Sequence, residues 1–258
     1  MAEYELLPES IQSRLKTRFI GRKILYFPEL DSTMEIAKRE ALWGSEAGTV
    51  IIAEEQTAGK GRLQRSWISP KGGIALSIIL RPNLNNLPYL IMLASLAVLD
   101  TIKQITGLKP QIKWPNDILI GEKKVSGILI ENDIRDNVLK YSIIGIGINA
   151  NFHVSNYPEI TNIATSLADE MKTEVSRLEI LTCLLTEMDR EYHELTDGKL
   201  IWERWKNYLV TLGQKVQVQM GSRVYTGTAE AVTRDGGLML RQKEGGLIKI
   251  VAGDVNLQ

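Results

Sequence analysis

Residues 141–160 read YSIIGIGINANFHVSNYPEI, and the architecture turns on how the glycines in this stretch are used. GIGINA, residues 145–150, formally matches G-x-G-x-x-A behind an apolar strand, the fingerprint of a dinucleotide-binding βαβ unit. That fingerprint needs a helix straight after the glycines, because the helix N-terminus receives the pyrophosphate. The segment that follows contains Pro158 and shows no helical period. A Rossmann site is therefore rejected, and the glycines are read as positions where a backbone comes close to a ligand or a neighbouring strand.

On either side, QIKWP (111–115) and KVSGILIEN (124–132) join YSIIGIGIN as strand candidates, separated by the turn-like NDILIGEK and DIRDN. Further upstream, KILYF (23–27), TVIIAEEQ (49–56) and GIALSIIL (73–80) read as strands. DSTMEIAKREALWG (31–44) reads as a helix, with Ser32 as N-cap, Glu35 completing a capping box and Gly44 as the stop. Residues 4–20 suggest a short amphipathic helix, 88–106 a buried one closed by Gly107, 176–195 a long one with Ser176 and Glu179 as capping box, and LIWERWKNYLV (200–210) a third apolar helix. After Gly213 the texture changes to KVQVQM, RVYTGTAEAV, GLMLRQ and LIKIVA, short alternating stretches divided by GS, DGG and EGG turns. This predicts a small β-barrel of about 45 residues, at the margin of independent stability and so packed on the larger domain.

Composition narrows the classes. The 258 residues carry 31 basic and 31 acidic side chains and are 44% hydrophobic, which fits one large domain with a small one and argues against general nucleic-acid binding. The single cysteine, Cys183, cannot form an internal disulfide, and MAEYELLPESIQSRL lacks the apolar core of a secretory signal, so a cytoplasmic location is expected. The run LIMLASLAVL (90–99) is short of the roughly 20 residues of a membrane span and reads as a buried helix. There is no P-loop and no G-x-S-x-G elbow, and His153, His193 and Cys183 are too dispersed for a zinc site.

Three features carry chemistry. TAGKGRLQRSW (57–67) holds Lys60, Arg62 and Arg65 between two glycines and a tryptophan, with no acid among them. Gly59 and Gly61 free the backbone, Arg62 offers a planar fork for phosphate or carboxylate, Lys60 adds a point charge, and Trp67 could stack on a base. The plain alternative is a solvated loop with a tryptophan anchored in the core. KWPND (113–117) places Asp117 at a strand end after a turn stiffened by Pro115, as a simple turn or as a carboxylate for Mg²⁺. EKKVSGILIEN (122–132) brings Lys123 and Lys124 to the mouth of an apolar strand, as surface lysines or as a cation for a phosphoryl group.

Taken together, DST (31–33), AEEQTAGKGRLQRSW (53–67), KWPND, KVSGILIE and GIGINAN resemble the biotin protein ligases, in that order and at compatible spacings. The resemblance implies an α+β fold, a mixed sheet flanked by helices as in biotin and lipoate ligases, over residues 1–210, with a C-terminal SH3-like β-barrel over 211–258. It implies ATP and biotin as substrates and Mg²⁺ as helper. Biotin is activated to biotinyl-5'-AMP, and a lysine of a carboxylase's biotin carrier domain then attacks the mixed anhydride. By the same resemblance Ser32, Thr33, Gln56, Gly59, Lys60, Gly61, Arg62, Lys124, Gly127, Leu129 and Gly145 bind biotin. Lys60, Arg62, Trp67, Lys113, Asn116, Lys124 and Asn149 bind ATP or the adenylate. Lys124, Arg62 and Asp117 carry the catalysis, with Asp117 placing Mg²⁺ or receiving the acceptor lysine's proton.

This chain departs from the family's usual pattern in having Met34 where Asn often follows Ser-Thr, and GKGRLQR where the loop often reads GRGRRGR. About two dozen residues precede the first strand, too few for the helix-turn-helix that some members carry, so no DNA binding and no membrane contact are expected. A homodimer with aligned sheets is implied only by analogy with the family. The rivals are a lipoate or octanoate ligase on the same fold, and a non-catalytic nucleotide binder built on Trp67 and the basic loop.

Overall fold

A computed structural model describes residues 6–257. The chain runs through α1 (Pro8–Gln12), β1 (Ile24–Leu30), α2 (Thr33–Leu42), β2 (Val50–Gln56), β3 (Ile74–Leu80) and α3 (Leu87–Thr106). It continues with β4 (Pro110–Lys113), β5 (Asp117–Ile120), β6 (Lys123–Arg135), β7 (Val138–Ile148), α4 (Leu167–Met171), α5 (Arg177–Glu194) and α6 (Lys199–Asn207). Five strands complete it: β8 (Lys215–Met220), β9 (Arg223–Val232), β10 (Leu238–Arg241), β11 (Leu247–Ile250) and β12 (Asp254–Leu257).

The first seven strands form one sheet in the order β1-β2-β3-β7-β6-β5-β4. It is mixed, because β1 and β2 run parallel across the α2 crossover while the other pairs are antiparallel. Side chains of a strand alternate between faces, and here the alternation sorts two cores. Val50, Ile52, Ile144, Ile146 and Ile148 face α3 and α5, whereas Ile51, Ile79 and Ile143 face Met34, Ala37 and Ala41 of α2. The glycines of GIGI lie inside β7, paired with β3 and β6, so they belong to a strand and not to a phosphate-binding turn.

Helix α3 is long and apolar enough, by length and composition, to cross a membrane. Its residues Leu90, Leu93, Leu96, Ala97 and Ile102 are instead fully buried in the protein's own core, and Gly107 closes it in the left-handed conformation at φ 71°. Asp100 of α3 and Glu191 of α5 are bridged by Arg204 of α6. Trp114 ties the C-terminal sheet to the larger body: its backbone N–H donates to Thr211 Oγ1 at 2.9 Å and its indole N–H to Gly236 O at 2.8 Å. The expected packing of the small unit on the large one is thus present, with Val216, Val218, Leu238 and Leu240 in the same buried cluster as α3.

Several expectations need correction. The helix expected over 4–20 is only α1; positions 4 and 5 lie outside the described residues. The carboxylate of Asp189 accepts the backbone N–H groups of Arg18, Phe19 and Ile20 at 2.8–3.1 Å, so a distant acid satisfies amides that a helix would have paired internally. NDILIGEK is not all turn, since β5 occupies its centre between β4 and β6. DIRDN is a strand as far as Arg135, with Asp136 and Asn137 (φ 53° and 58°) forming the two-residue hairpin turn. The third apolar helix ends at Asn207, and Leu209 then bridges Ile112 in extended form. In the C-terminal unit the ladder is β11-β10-β9-β8-β12. Its fifth strand, β12, has no counterpart among the four stretches expected from the sequence, and among the described residues no pairing joins the two edges.

A buried ion pair anchors α5 beneath the site. Arg177 Nη1 donates to Glu54 Oε2 at 2.6 Å, with the two side chains only 6% and 10% exposed, and also to Gly73 O. Breaking a buried pair of this kind costs about 3–5 kcal/mol. Glu54→Gln is therefore expected to lower the unfolding free energy by about that amount in urea titrations.

Candidate active site

The sheet's register builds the floor of a cavity of about 210 Å³. β7 pairs Gly147 with Ala75 and Gly127, and Gly145 with Ser77 and Leu129. These residues share one face, and the glycines, Ala75 and Ser77 leave room above the sheet beside the N-terminus of α2. Glycine is required here by close approach. A Cβ on Gly147 would stand 2.4 Å from Trp67 Cε2, one on Gly127 would stand 3.0 Å from the Trp67 ring and from Lys124 Nζ, and one on Gly145 would stand 2.6 Å from Met34 Sδ.

The closed end is polar. Gln56 Oε1 accepts from the Thr33 N–H at 2.9 Å and the Thr33 hydroxyl at 3.2 Å, and Ser77 Oγ donates to Thr33 Oγ1 at 2.8 Å. Ser32 occupies the N-cap position as expected, but its hydroxyl caps nothing. Among the described residues its buried Oγ has no hydrogen-bond partner. Glu35, expected to close the capping box, instead binds Lys38 and Lys60, and those two ammonium groups, Lys60 first, hold its carboxyl below the usual glutamate range. A buried hydroxyl left unpaired costs free energy, which marks Ser32 as a group waiting for a polar partner.

The open end is cationic. The loop 57–67 crosses it as a small hairpin, with the Trp67 N–H bonded to Gly59 O and the Gly61 N–H to Arg65 O. Arg62 Nη1 donates to Asn116 Oδ1 at 2.9 Å and to Gly253 O at 3.4 Å. Burial pulls the Arg62 guanidinium below its ordinary value, against the opposing charges of Asp254 and Asp117. Lys124 Nζ lies 2.6 Å from Asp117 Oδ1 and 5.2 Å from the centre of the Trp67 ring. Burial likewise lowers Lys113, with Asp117 opposing and Lys124 reinforcing the shift.

Most of the expected residues meet here. Ser32, Thr33, Gln56, Lys60, Gly61, Arg62, Trp67, Asn116, Asp117, Lys124, Gly127, Leu129, Gly145 and Asn149 all line the cavity. Gly59 and Lys113 stand outside its wall: a Cβ on Gly59 would lie 2.4 Å from Trp67 O, which makes Gly59 the pinch of the hairpin. Two implied nucleotide contacts are already engaged with the protein. Asn116 spends its amide on Arg62 and Ile128 O, and Asn149 spends its NH2 on Thr165 O and Lys124 O. Residues not expected from the sequence also reach the cavity, among them Ile160, Ile163 and Ala164 from the loop after β7, and Asp254 from β12. The spacing of Ile160 and Ile163 in a proline-containing loop was the one available hint. Asp254 gave none, being nearly 200 residues from the loop it meets.

Known proteins of similar sequence and fold identify the family. Residues 26–149 match the model of the Biotin/lipoate A/B protein ligase family, and residues 211–257 match the Biotin protein ligase C terminal domain, the SH3-like unit expected there. The chain is 35% identical over 262 residues to the bifunctional ligase/repressor BirA of Bacillus subtilis, an alignment covering 98% of this chain and 79% of that protein. It is 30% identical to the biotin--[acetyl-CoA-carboxylase] ligase of Mycobacterium tuberculosis, covering 97% and 96%. The biotin protein ligase of Aquifex aeolicus in complex with biotin and ATP superposes with a TM-score of 0.79 at 30% identity, over 92% of this chain and 99% of the other. With the sheet, the glycine floor, the cationic loop and both family matches in place, the chain belongs to the biotin protein ligase family.

Proposed function

We propose that this chain is an ATP-dependent biotin protein ligase. It activates biotin to biotinyl-5'-AMP with release of pyrophosphate and then passes the biotinyl group to a lysine on the biotin carrier domain of a carboxylase. The observation that carries the reading is that Arg62 and Lys124 border one cavity whose far end presents the unpartnered Ser32 hydroxyl. Joining a carboxylate to a phosphate brings two anions together, so fixed cations aimed at the developing charge are the main catalytic need.

In this reading Ser32, Thr33 and Gln56 hold the biotin head over Gly145, Gly127 and Leu129. Arg62 grips the biotin carboxylate and the α-phosphate, and Asn116 orients Arg62. Lys124 turns from Asp117 to the reacting phosphate, which frees Asp117 to receive the acceptor lysine's proton. Trp67, with Ile160 and Ile163, shelters the adenine beside Asn149 Oδ1, and Lys60 and Lys113 add positive charge at the mouth. Asp117, one of whose oxygens is held by Lys124, also suits Mg²⁺, which takes one or two carboxylates plus substrate phosphates; when bound there the ion would neutralise phosphate charge. The catalytic part is assigned to residues 1–210 and the SH3-like part to 211–258. A cytoplasmic location goes with this reading.

The protein incubated with Mg²⁺-ATP, a carrier domain, and biotin, lipoate or octanoate in turn is expected to raise the carrier's mass by one biotinyl group only. EDTA should abolish the gain. A lipoyl or octanoyl gain in place of biotin, or no gain at all, would overturn the assignment.

A further inference from the structure

The three cations of the loop 57–67 point to different places. Arg62 turns inward to Asn116 and Gly253 O. Lys60 reaches sideways to Glu35 of α2, which also holds Lys38, itself paired with Glu131 of β6. Arg65 reaches the other way and pairs with Asp254, the first residue of β12. Between these ties the hairpin tip places Leu63 and Gln64 at φ 52° and 62°, a left-handed conformation unfavourable for non-glycine residues that persists only where surroundings impose it.

We propose that Asp254 and Glu35 are positioning residues for the reaction. The C-terminal sheet and helix α2 are two posts, and the loop is slung between them through Arg65 and Lys60 so that Arg62 is held over the cavity. The C-terminal unit then serves the chemistry through an ion pair at the loop's flank. Each pair is partly exposed and modest alone; their value lies in gripping a strained loop from two separate elements. Reversing the charge at position 254 does more than remove a tie, because Arg62, Arg65 and Lys113 all feel that carboxylate.

The catalytic part of this inference rests on the ligase reading, so the test has an arm that does not. Trypsin cleavage after Lys60 and Arg62, followed by fragment mass without nucleotide, reports loop anchoring alone. Asp254→Arg is expected to speed that cleavage about fivefold or more, and the swap Arg65→Asp with Asp254→Arg to restore it to within about twofold; Asp254→Asn replaces the reversal if it fails to fold. Glu35→Gln should speed cleavage after Lys60. In the second arm, the ratio of biotinyl-5'-AMP escaping to solution over biotin on the carrier should rise for Asp254→Arg and fall back in the swap. Unchanged cleavage in the single variants, or a swap that stays as open as Asp254→Arg, would overturn the proposal. A wild-type protein that never labels a carrier would defeat the ligase reading while the cleavage arm still decides the anchoring.

Discussion

Lys124→Ala is expected to reduce pyrophosphate release from biotin and ATP by about 10²–10³-fold, the usual loss when one preorganised charge-stabilising donor is removed. Two effects add. The substitution removes the cation beside the reacting phosphate, and it leaves Asp117, now bonded to Lys124 at 2.6 Å, with one positive neighbour fewer against the incoming phosphates. Lys124→Arg keeps the charge but not the compact ammonium that fits against Gly127 and the Trp67 ring, and should recover only part of the rate. Transfer to the carrier from synthetic biotinyl-5'-AMP bypasses the first step and should suffer less. Near-normal pyrophosphate release by Lys124→Ala would remove this residue from its role.

The second large effect is expected from a single methyl group. Gly147→Ala places a Cβ 2.4–2.6 Å from the indole of Trp67, well inside the roughly 3.5–4.0 Å at which carbon atoms rest together. The strand cannot yield, because Gly147 sits in the centre of the sheet between Ala75 and Gly127, so the ring must move by about 1 Å. A displacement of that size in an active site costs on the order of 10²-fold, and kcat/KM for biotin transfer should fall accordingly while the melting temperature changes little. Gly145→Ala meets Met34 Sδ at 2.6 Å instead. A flexible thioether gives way more easily than an indole, so that variant should lose less, and Met34→Ala should relieve it. Equal losses at 145 and 147 would contradict the packing described for Trp67.

The fold was legible where the signals are local. The apolar, β-branched runs of β2, β3 and β7, the end of α3 at Gly107, and the Ser176 cap of α5, whose hydroxyl accepts from the Glu179 N–H at 3.2 Å, all depend on neighbours in the chain. Reading failed where a distant group overrode local preference. The Asp189 carboxylate took the amides of residues 18–20, β5 became a strand by fitting between β4 and β6, and β12 exists through its pairing with β8.

The same division runs through the candidate site. The residue types, their order and their spacing are local facts, and they carried the family, the cationic loop and the glycines that need close approach. Which polar atoms are already spent is not local. Ser32 could cap a helix on sequence grounds, and only the packed site shows its hydroxyl unpartnered. Lys60, Arg62 and Arg65 look equivalent in the loop, yet tertiary contacts send them to Glu35, to Asn116 and to Asp254. The chain therefore fixes which groups are present and the local geometry each prefers. How each charge is used depends on long-range packing, because a hydrogen bond or ion pair is settled by what lies within about 3–4 Å in space, whatever the separation along the chain.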